Sequence, residues 1–414
     1  MNTKSFIHGR KEEENKKMKF KRVVLIVMDS AGIGEAPDSH LYKDAGSNTW
    51  KHASFAVKDF KVPTVEKLGV GLLTEINNCK SDIKPTGLVG KLMEISAGKD
   101  TLTGHWEMMG IKTEVPFPSF TETGFPLALI KALEKETGRK VIGNIAASGT
   151  EIIKDLGMEH IKTGAIIVYT SADSVLQIAA HEDVVKLPEL YKICEIARRL
   201  TNEKPEWKVG RIIARPFVGT DPTNFKRTPN RHDYALVPER NVLNELKDKG
   251  LDVIAVGKIN DIFNGSGITE TTRTVSNHDG MVKTLDIVKR NDWEGLCFVN
   301  LVDFDSQFGH RRDAVGYARA IEEFDRDLKP IIDSMKEDDY LMITADHGND
   351  PTFPGSDHTR EYIPLISYSK HKDFKPGNFG IYESFASIGQ VLANNFGVKK
   401  PLYGKDFING KSSS

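Results

Sequence analysis

Three short stretches of this chain carry runs of apolar residues that do not alternate with polar ones, and each leads into carboxylates. Lys21–Met28 ends at Asp29, Leu296–Val302 at Asp303 and Asp305, and Tyr340–Thr344 at Asp346 and His347. Continuous rather than alternating apolarity marks a strand covered on both faces, as in a parallel sheet with helices on either side. Between the second and third stretches, Val315, Ala318, Ile321, Phe324, Leu328 and Ile331 recur at helical spacing, which predicts an amphipathic helix from Asp313 to Met335. Strand, helix, strand in that order is a right-handed parallel crossover. The class expected is α/β, and in open α/β sheets ligands gather at the carboxyl ends of the strands. A single aspartate after a strand is commonly a helix cap or turn residue. Three such ends, two of them accompanied by histidine, ask for another reason.

Gly32-Ile-Gly34 after the first stretch has the look of a dinucleotide turn. The third glycine is absent and Pro37 stands in its place, so that reading is set aside. With 57 Lys and Arg against 58 Asp and Glu in 414 residues, a nucleic-acid-binding surface is not expected. Single cores stop growing near roughly 250–300 residues, so two domains are expected. The longest apolar run near the start, Val23–Met28, is far short of a membrane span, and residues 1–17 carry no apolar signal core. Residues 1–17 and the tail from Gly410 read as disordered. Cys79, Cys194 and Cys297 are widely spaced and form no C-x-x-C pair, which fits a reducing cytoplasm and no disulfide framework.

Divalent cations need deprotonated oxygen or nitrogen donors. Asp305 and His310 lie on one loop, Asp346 and His347 are adjacent, and Asp357-His358 follows a Gly/Pro-rich loop. With Asp29 this pool is large enough for two cations, which at about 3.5–4 Å separation clamp both oxygens of a phosphoryl transfer. Such chemistry needs a nucleophile. Lys99–Glu107 offers Thr101 and Thr103, and their spacing does not separate them. A threonine hydroxyl is a poor nucleophile until a metal or base lowers its pKa.

The motifs M-D-S-x-G-I-G-E-A-P-D, G-K-D-T-x-T-G-H-W-E, V-D-F-D-x-x-x-G-H-R-R-D and T-A-D-H-G-N-D-P…D-H-T-R-E-Y-x-P occur in that order. The chain resembles, from about Lys19 to its C-terminal region, the phosphopentomutases of the alkaline phosphatase superfamily. The resemblance implies an alkaline phosphatase-like core with a mainly parallel sheet flanked by helices, plus an inserted α/β cap. It implies two manganese ions, one held by Asp29, Asp346 and His347 and the other by Asp305, His310 and His358. It favours Thr101 as nucleophile, with His105 and Trp106 supporting its loop. The implied reaction interconverts ribose 1-phosphate and ribose 5-phosphate, and the 2-deoxyribose equivalents, through phosphothreonine and a pentose 1,5-bisphosphate. Glucose 1,6-bisphosphate or ribose 1,5-bisphosphate would prime it. Another two-metal phosphomutase or phosphatase of the superfamily is the alternative.

Metal motifs flank residues 115–238 but do not enter them, so this stretch reads as a cap inserted into a core of residues 18–114 and 239–414. Ala165–Tyr169 predicts a strand there and Leu187–Leu200 a helix. Lys204–Arg240 holds eight basic and four acidic residues, a local balance of +4, and arginine forks suit phosphate oxygens. By resemblance Ser171, Asp173 and Val175 meet the ribose, and Arg211, Arg227 and Lys258 the distal phosphate, with Arg215 and Arg231 as competitors. The expected partner is a small sugar phosphate, with no nucleic acid and no membrane.

Overall fold

The computed structural model describes residues 18–171 and 174–409. The leader expected at 1–17 and the ribose contact expected at Asp173 lie outside the described residues. Among these residues there are fourteen strands in chain order. They are β1 (Arg22–Met28), β2 (Leu88–Leu92), β3 (Val141–Ala146), β4 (Ile166–Thr170), β5 (Val175–His181), β6 (Arg211–Val218) and β7 (Lys226–Arg227). There follow β8 (His232–Ala235), β9 (Asp252–Val256), β10 (Glu270–Thr272), β11 (Gly295–Leu301), β12 (Asp339–Thr344), β13 (Ile363–Tyr368) and β14 (Gly377–Tyr382).

Eight of them form one sheet in the order β10-β9-β11-β1-β12-β13-β2-β14. The three apolar stretches are its neighbours β11, β1 and β12. All three are parallel, with Met28 opposite Leu301 and Val27 opposite Thr344. Every residue of these strands is buried, as continuous apolarity predicts for a sheet covered on both faces. The sheet is mainly parallel; β13 is antiparallel to both β12 and β2. The helix expected at 313–335 is Ala314–Ser334, and the Asp313 side chain caps it by accepting from Gly316 N.

The second sheet runs β3-β4-β5-β6-β7, with β8 paired to β6. The strand expected at 165–169 is β4, and the helix expected at 187–200 is Leu187–Asn202. One face packs Leu176, Ile178 and Ile212 against that helix through Leu190, Ile193 and Cys194. The other packs Ile167, Tyr169 and Phe217 against Ile152 and Ile153 of the helix Gly149–Thr163. The fold is α/β, with two helix-flanked sheets that have separate apolar cores. All three cysteines are free, and burial pushes the Cys297 thiol up to about 12. No helix among the described residues is long and apolar enough to cross a membrane.

Candidate metal centre

Because β11, β1 and β12 end side by side, the residues that follow them converge. Asp29 follows β1, Asp346 and His347 follow β12, and Asp305 lies in the single turn of π-helix Phe304–Gly309 after β11. Such turns recur at functional sites. Ser30 adopts φ +72°, costly for a residue with a side chain, at about 1–3 kcal/mol. That conformation lets its N–H donate to Asp346 Oδ1 at 2.9 Å.

Donor atoms of Asp29, Asp346 and His347 lie within 4.8 Å of one another, and so do those of Asp305, His347 and His358. His310 joins the second group: its Nε2 is 3.0 Å from Asp305 Oδ2 and 3.2 Å from His358 Nε2. His347 therefore stands between the two groups, its ring stacked on that of His358 at 3.8 Å. All of these side chains are buried except that of His310, which is half-buried.

The tautomers follow from the surroundings. Nδ1 of His347, His358 and His310 faces the carbonyl of Gly348, Lys99 and Ser356 at 3.0, 2.9 and 2.6 Å. A carbonyl accepts only, so each Nδ1 carries the proton and each Nε2 turns toward the carboxylates. Asp29 Oδ1 and Asp346 Oδ2 are buried and accept no hydrogen bond, although His105 Nδ1 lies 3.2 Å from the latter. Orphaned carboxylate oxygens cost free energy unless a cation meets them. The donor set fits divalent cations: Asp29, Asp346 and His347 could hold one, and Asp305 and His358, with His347 or the adjoining His310, could hold another. Mixed carboxylate and imidazole donors suit manganese, iron, cobalt or zinc.

Electrostatics agree with a site built for positive charge. Burial, then the Asp346 carboxylate, pushes Asp29 upward. Burial opposes ionisation of Asp305 and Asp346 as well. There the imidazoles win: His358 and His310 hold Asp305 well below the usual carboxylate range, and His347 and His105 lower Asp346. Burial disfavours a charged His347, yet Asp346 and Asp29 raise it well above an ordinary imidazole.

Thr101 opens the helix Thr101–Met108, and its Oγ1 lies 3.2 Å from His347 Nε2. Thr103 is buried, and its hydroxyl donates to Asp100 Oδ2 at 2.5 Å. The structure thus separates two threonines that spacing does not. Trp106 Nε1 donates to the Ile262 carbonyl at 3.0 Å, and His105 Nδ1 to the Thr101 carbonyl at 2.9 Å. Trp106 holds the helix rather than facing the centre, whereas His105 holds the helix and also reaches Asp346 Oδ2 at 3.2 Å.

Several groups escape a reading of the sequence. Asn300 Nδ2 donates to Asp29 Oδ2 at 2.9 Å, and Asn349 Nδ2 to Asp305 Oδ1 at 2.7 Å. The signal for Asn300 is an amide inside an otherwise apolar strand. Glu361 accepts from Thr49 N, Thr49 Oγ1, Thr359 Oγ1 and Gly34 N. A Cβ on Gly32 or Gly348 would come within 2.6 or 2.4 Å of its carboxylate. Those glycines make room for a carboxylate, which accounts for Gly32 without a dinucleotide.

A cleft of about 380 Å³ opens over the centre, with Asp29, Thr101 and Asp305 among its lining residues. Lys258, Asp261 and Arg273 line it from the first sheet's side. Val175, Arg211, Arg231 and Asp233 line it from the second sheet's side. Arg231 forks onto Asp233 with two bonds of 2.6 Å. Ser171 and Arg227 are not among the lining residues. Arg227 instead lies where a Cβ on Gly149 would meet it, beside the Tyr169 hydroxyl. Arg215 sits deeper, donating to Gln177 Oε1 at 2.8 Å.

Among solved structures, the PH0037 protein of Pyrococcus horikoshii is similar at 14% identity, with 94% of this chain and 100% of that one covered and a TM-score of 0.48. A phosphoglycerate mutase of Leishmania mexicana is similar at 12% identity, with 95% and 98% covered and a TM-score of 0.48. An alkaline phosphatase superfamily protein of Vibrio parahaemolyticus is similar at 11% identity, with 95% and 70% covered and a TM-score of 0.43. The sequence pattern of the metalloenzyme superfamily matches residues 21–400. That span takes in every strand of both sheets and all of the converging acids and imidazoles, and the chain belongs to the metalloenzyme superfamily.

Proposed function

We propose that the chain is a phosphopentomutase, interconverting the 1- and 5-phosphates of ribose and of 2-deoxyribose. The observation that carries this reading is the 3.2 Å between Thr101 Oγ1 and His347 Nε2, at a centre that lies under a cleft lined on its far side by arginines. Divalent cations at the two groups, manganese in this reading, would neutralise charge on a transferring phosphoryl group and lower the pKa of the threonine hydroxyl.

The chain's own residues do the rest. Thr101 carries the phosphoryl group at the first position of its helix, where unpaired N–H groups favour an anion. The P–Oγ bond breaks as a P–O bond forms to the anomeric oxygen of ribose 5-phosphate, and the hydroxyl proton ends on Thr101 Oγ1. Ribose 1,5-bisphosphate results. It turns end for end, the other phosphoryl group moves to Thr101, and ribose 1-phosphate leaves. Ser171, Asp173 and Val175 meet the sugar. Arg211 and Lys258 from the cleft walls, and Arg227 from beside Tyr169, take the phosphate that is not in transfer. Residues 115–238 act as a cap that keeps water from the phosphoenzyme while the bisphosphate reorients. Glucose 1,6-bisphosphate or ribose 1,5-bisphosphate primes the unphosphorylated chain.

The test is an assay of manganese-loaded, bisphosphate-primed protein with ribose 1-phosphate, 2-deoxyribose 1-phosphate and 3-phosphoglycerate. Conversion of the pentose phosphates without release of inorganic phosphate supports the reading. Phosphate release alone would make the chain a phosphatase, and turnover of 3-phosphoglycerate alone a different mutase.

A further inference from the structure

Lys99 stands two residues before Thr101 and is tied twice to the ligand candidate His358. His358 Nδ1 donates to the Lys99 carbonyl at 2.9 Å, and Lys99 Nζ donates to the His358 carbonyl at 2.6 Å. The bonds run in opposite directions, so neither residue can shift alone. The ammonium also donates to Asp44 Oδ2 at 2.9 Å and lies 3.1 Å from Asp357 Oδ2. Asp44 Oδ2 in turn accepts from Arg360 N at 2.8 Å, and Arg360 Nη1 donates to the Gly98 carbonyl at 2.7 Å. Segment 98–101 and segment 357–360 are thus fastened rung by rung. By contrast, among the described residues the side-chain hydrogen bonds and ion pairs of Asp29, Asp346 and His347 do not reach Lys99. Their partners outside the group are Asn300, Ser30, His105 and Gly348, and the single link to segment 98–101 is the Thr101 hydroxyl, 3.2 Å from His347 Nε2.

We propose that Lys99 is a positioning residue that locks the His358 imidazole and the Thr101 backbone into one unit. Cation affinity at the Asp305–His310–His358 group then depends on Lys99, and affinity at the Asp29–Asp346–His347 group does not. Groups that orient a ligand commonly change metal affinity by about 10- to 100-fold when removed. Only the kinetic half of the inference rests on Thr101 as phosphoryl acceptor.

The experiment is a manganese titration of the metal-free full chain, following free Mn2+ by electron paramagnetic resonance, for wild type, Lys99→Met and Lys99→Arg. Expected for Lys99→Met is one ion bound about 10- to 100-fold more weakly, with the other unchanged. Lys99→Arg keeps a charged donor and recovers most of the lost affinity. Should Lys99→Met fail to fold, Lys99→Gln carries the same test. Two ions bound with wild-type affinity would overturn the inference, as would equal weakening of both, the mark of a merely structural role. In the isomerase assay, kcat falls and KM for the sugar phosphate holds, since Lys99 is not among the residues lining the cleft. A wild type without isomerase activity would overturn the proposed reaction and leave the titration standing.

Discussion

Two hydroxyls two residues apart have opposite fates at the start of one helix. Thr103 is spent on its own cap: its N–H and its hydroxyl both go to Asp100. Thr101 turns to the histidines. Thr103→Ala is expected to cost about 1 kcal/mol in denaturant unfolding and to keep phosphate incorporation. Thr101→Ala is expected to lose incorporation, with stability within about 0.5 kcal/mol. Incorporation by the Thr101 variant at the wild-type level would exclude Thr101. Glu361 poses a different question. Burial, set against its hydrogen bonds, pushes its carboxyl up to about 7. Its four donors come from Thr49, Thr359 and Gly34, so Glu361→Ala strands buried N–H and O–H groups. A loss on the order of 3 kcal/mol in urea unfolding is expected. At this scale the sequence discloses candidate ligands, because acids and imidazoles repeated after several apolar strands are more than caps and turns require. It does not disclose the roles of Asn300 and Asn349, which donate to Asp29 and Asp305, or of Glu361, which ties Thr49, Thr359 and Gly34 together; none of them carries a spacing of its own.

At the scale of elements, β11, β1 and β12 are legible because burial on both faces leaves an unbroken apolar run. The edges are not. β14 is only partly buried and β7 has two residues. Neither has a pattern that tells it from a loop. The π-turn that positions Asp305 is likewise invisible in D-F-D-x-x-x-G-H, because it is set by packing after β11. Gly104 shows what element packing demands. A Cβ there would sit 2.0 Å from the Asp346 carbonyl oxygen, so the helix Thr101–Met108 can approach the end of β12 only with glycine at this point. In an unconstrained helix Gly→Ala stabilises by about 1 kcal/mol. Here the sign reverses: Gly104→Ala is expected to lower stability and to slow phosphorylation of Thr101 by about 100-fold, since displacements near 1 Å carry that penalty. Calorimetry and single-turnover labelling read the two effects separately.

Across the whole molecule, charge is divided where the total is near zero. The acids collect at the ends of β1, β11 and β12, while Arg211 and Arg231 line the facing side of the cleft. Composition exposes the surplus of bases between Lys204 and Arg240 but not their partners. Arg211 and Arg215 lie on the same face of β6, yet Arg211 at its start lines the cleft, while Arg215, four residues further along, is bonded to Gln177. Arg211→Ala is expected to raise KM for the sugar phosphate at least tenfold and to leave manganese affinity unchanged. An unchanged KM would remove it from the phosphate site. Cations that bind the folded chain stabilise it by mass action, about 2.7 kcal/mol for one site at a hundred times its Kd. Chelation is therefore expected to lower Tm, and added manganese to restore it.

The central claim is that Thr101 carries the group in transit. It is tested by incubating manganese-loaded protein with glucose 1,6-bisphosphate labelled in its phosphoryl groups, adding ribose 1-phosphate, and locating the label by peptide mass analysis. The account predicts one phosphoryl group per chain on Thr101, absent from Thr101→Ala, and its passage to pentose with no inorganic phosphate released. Label on another residue, or label lost wholly to water, would contradict it.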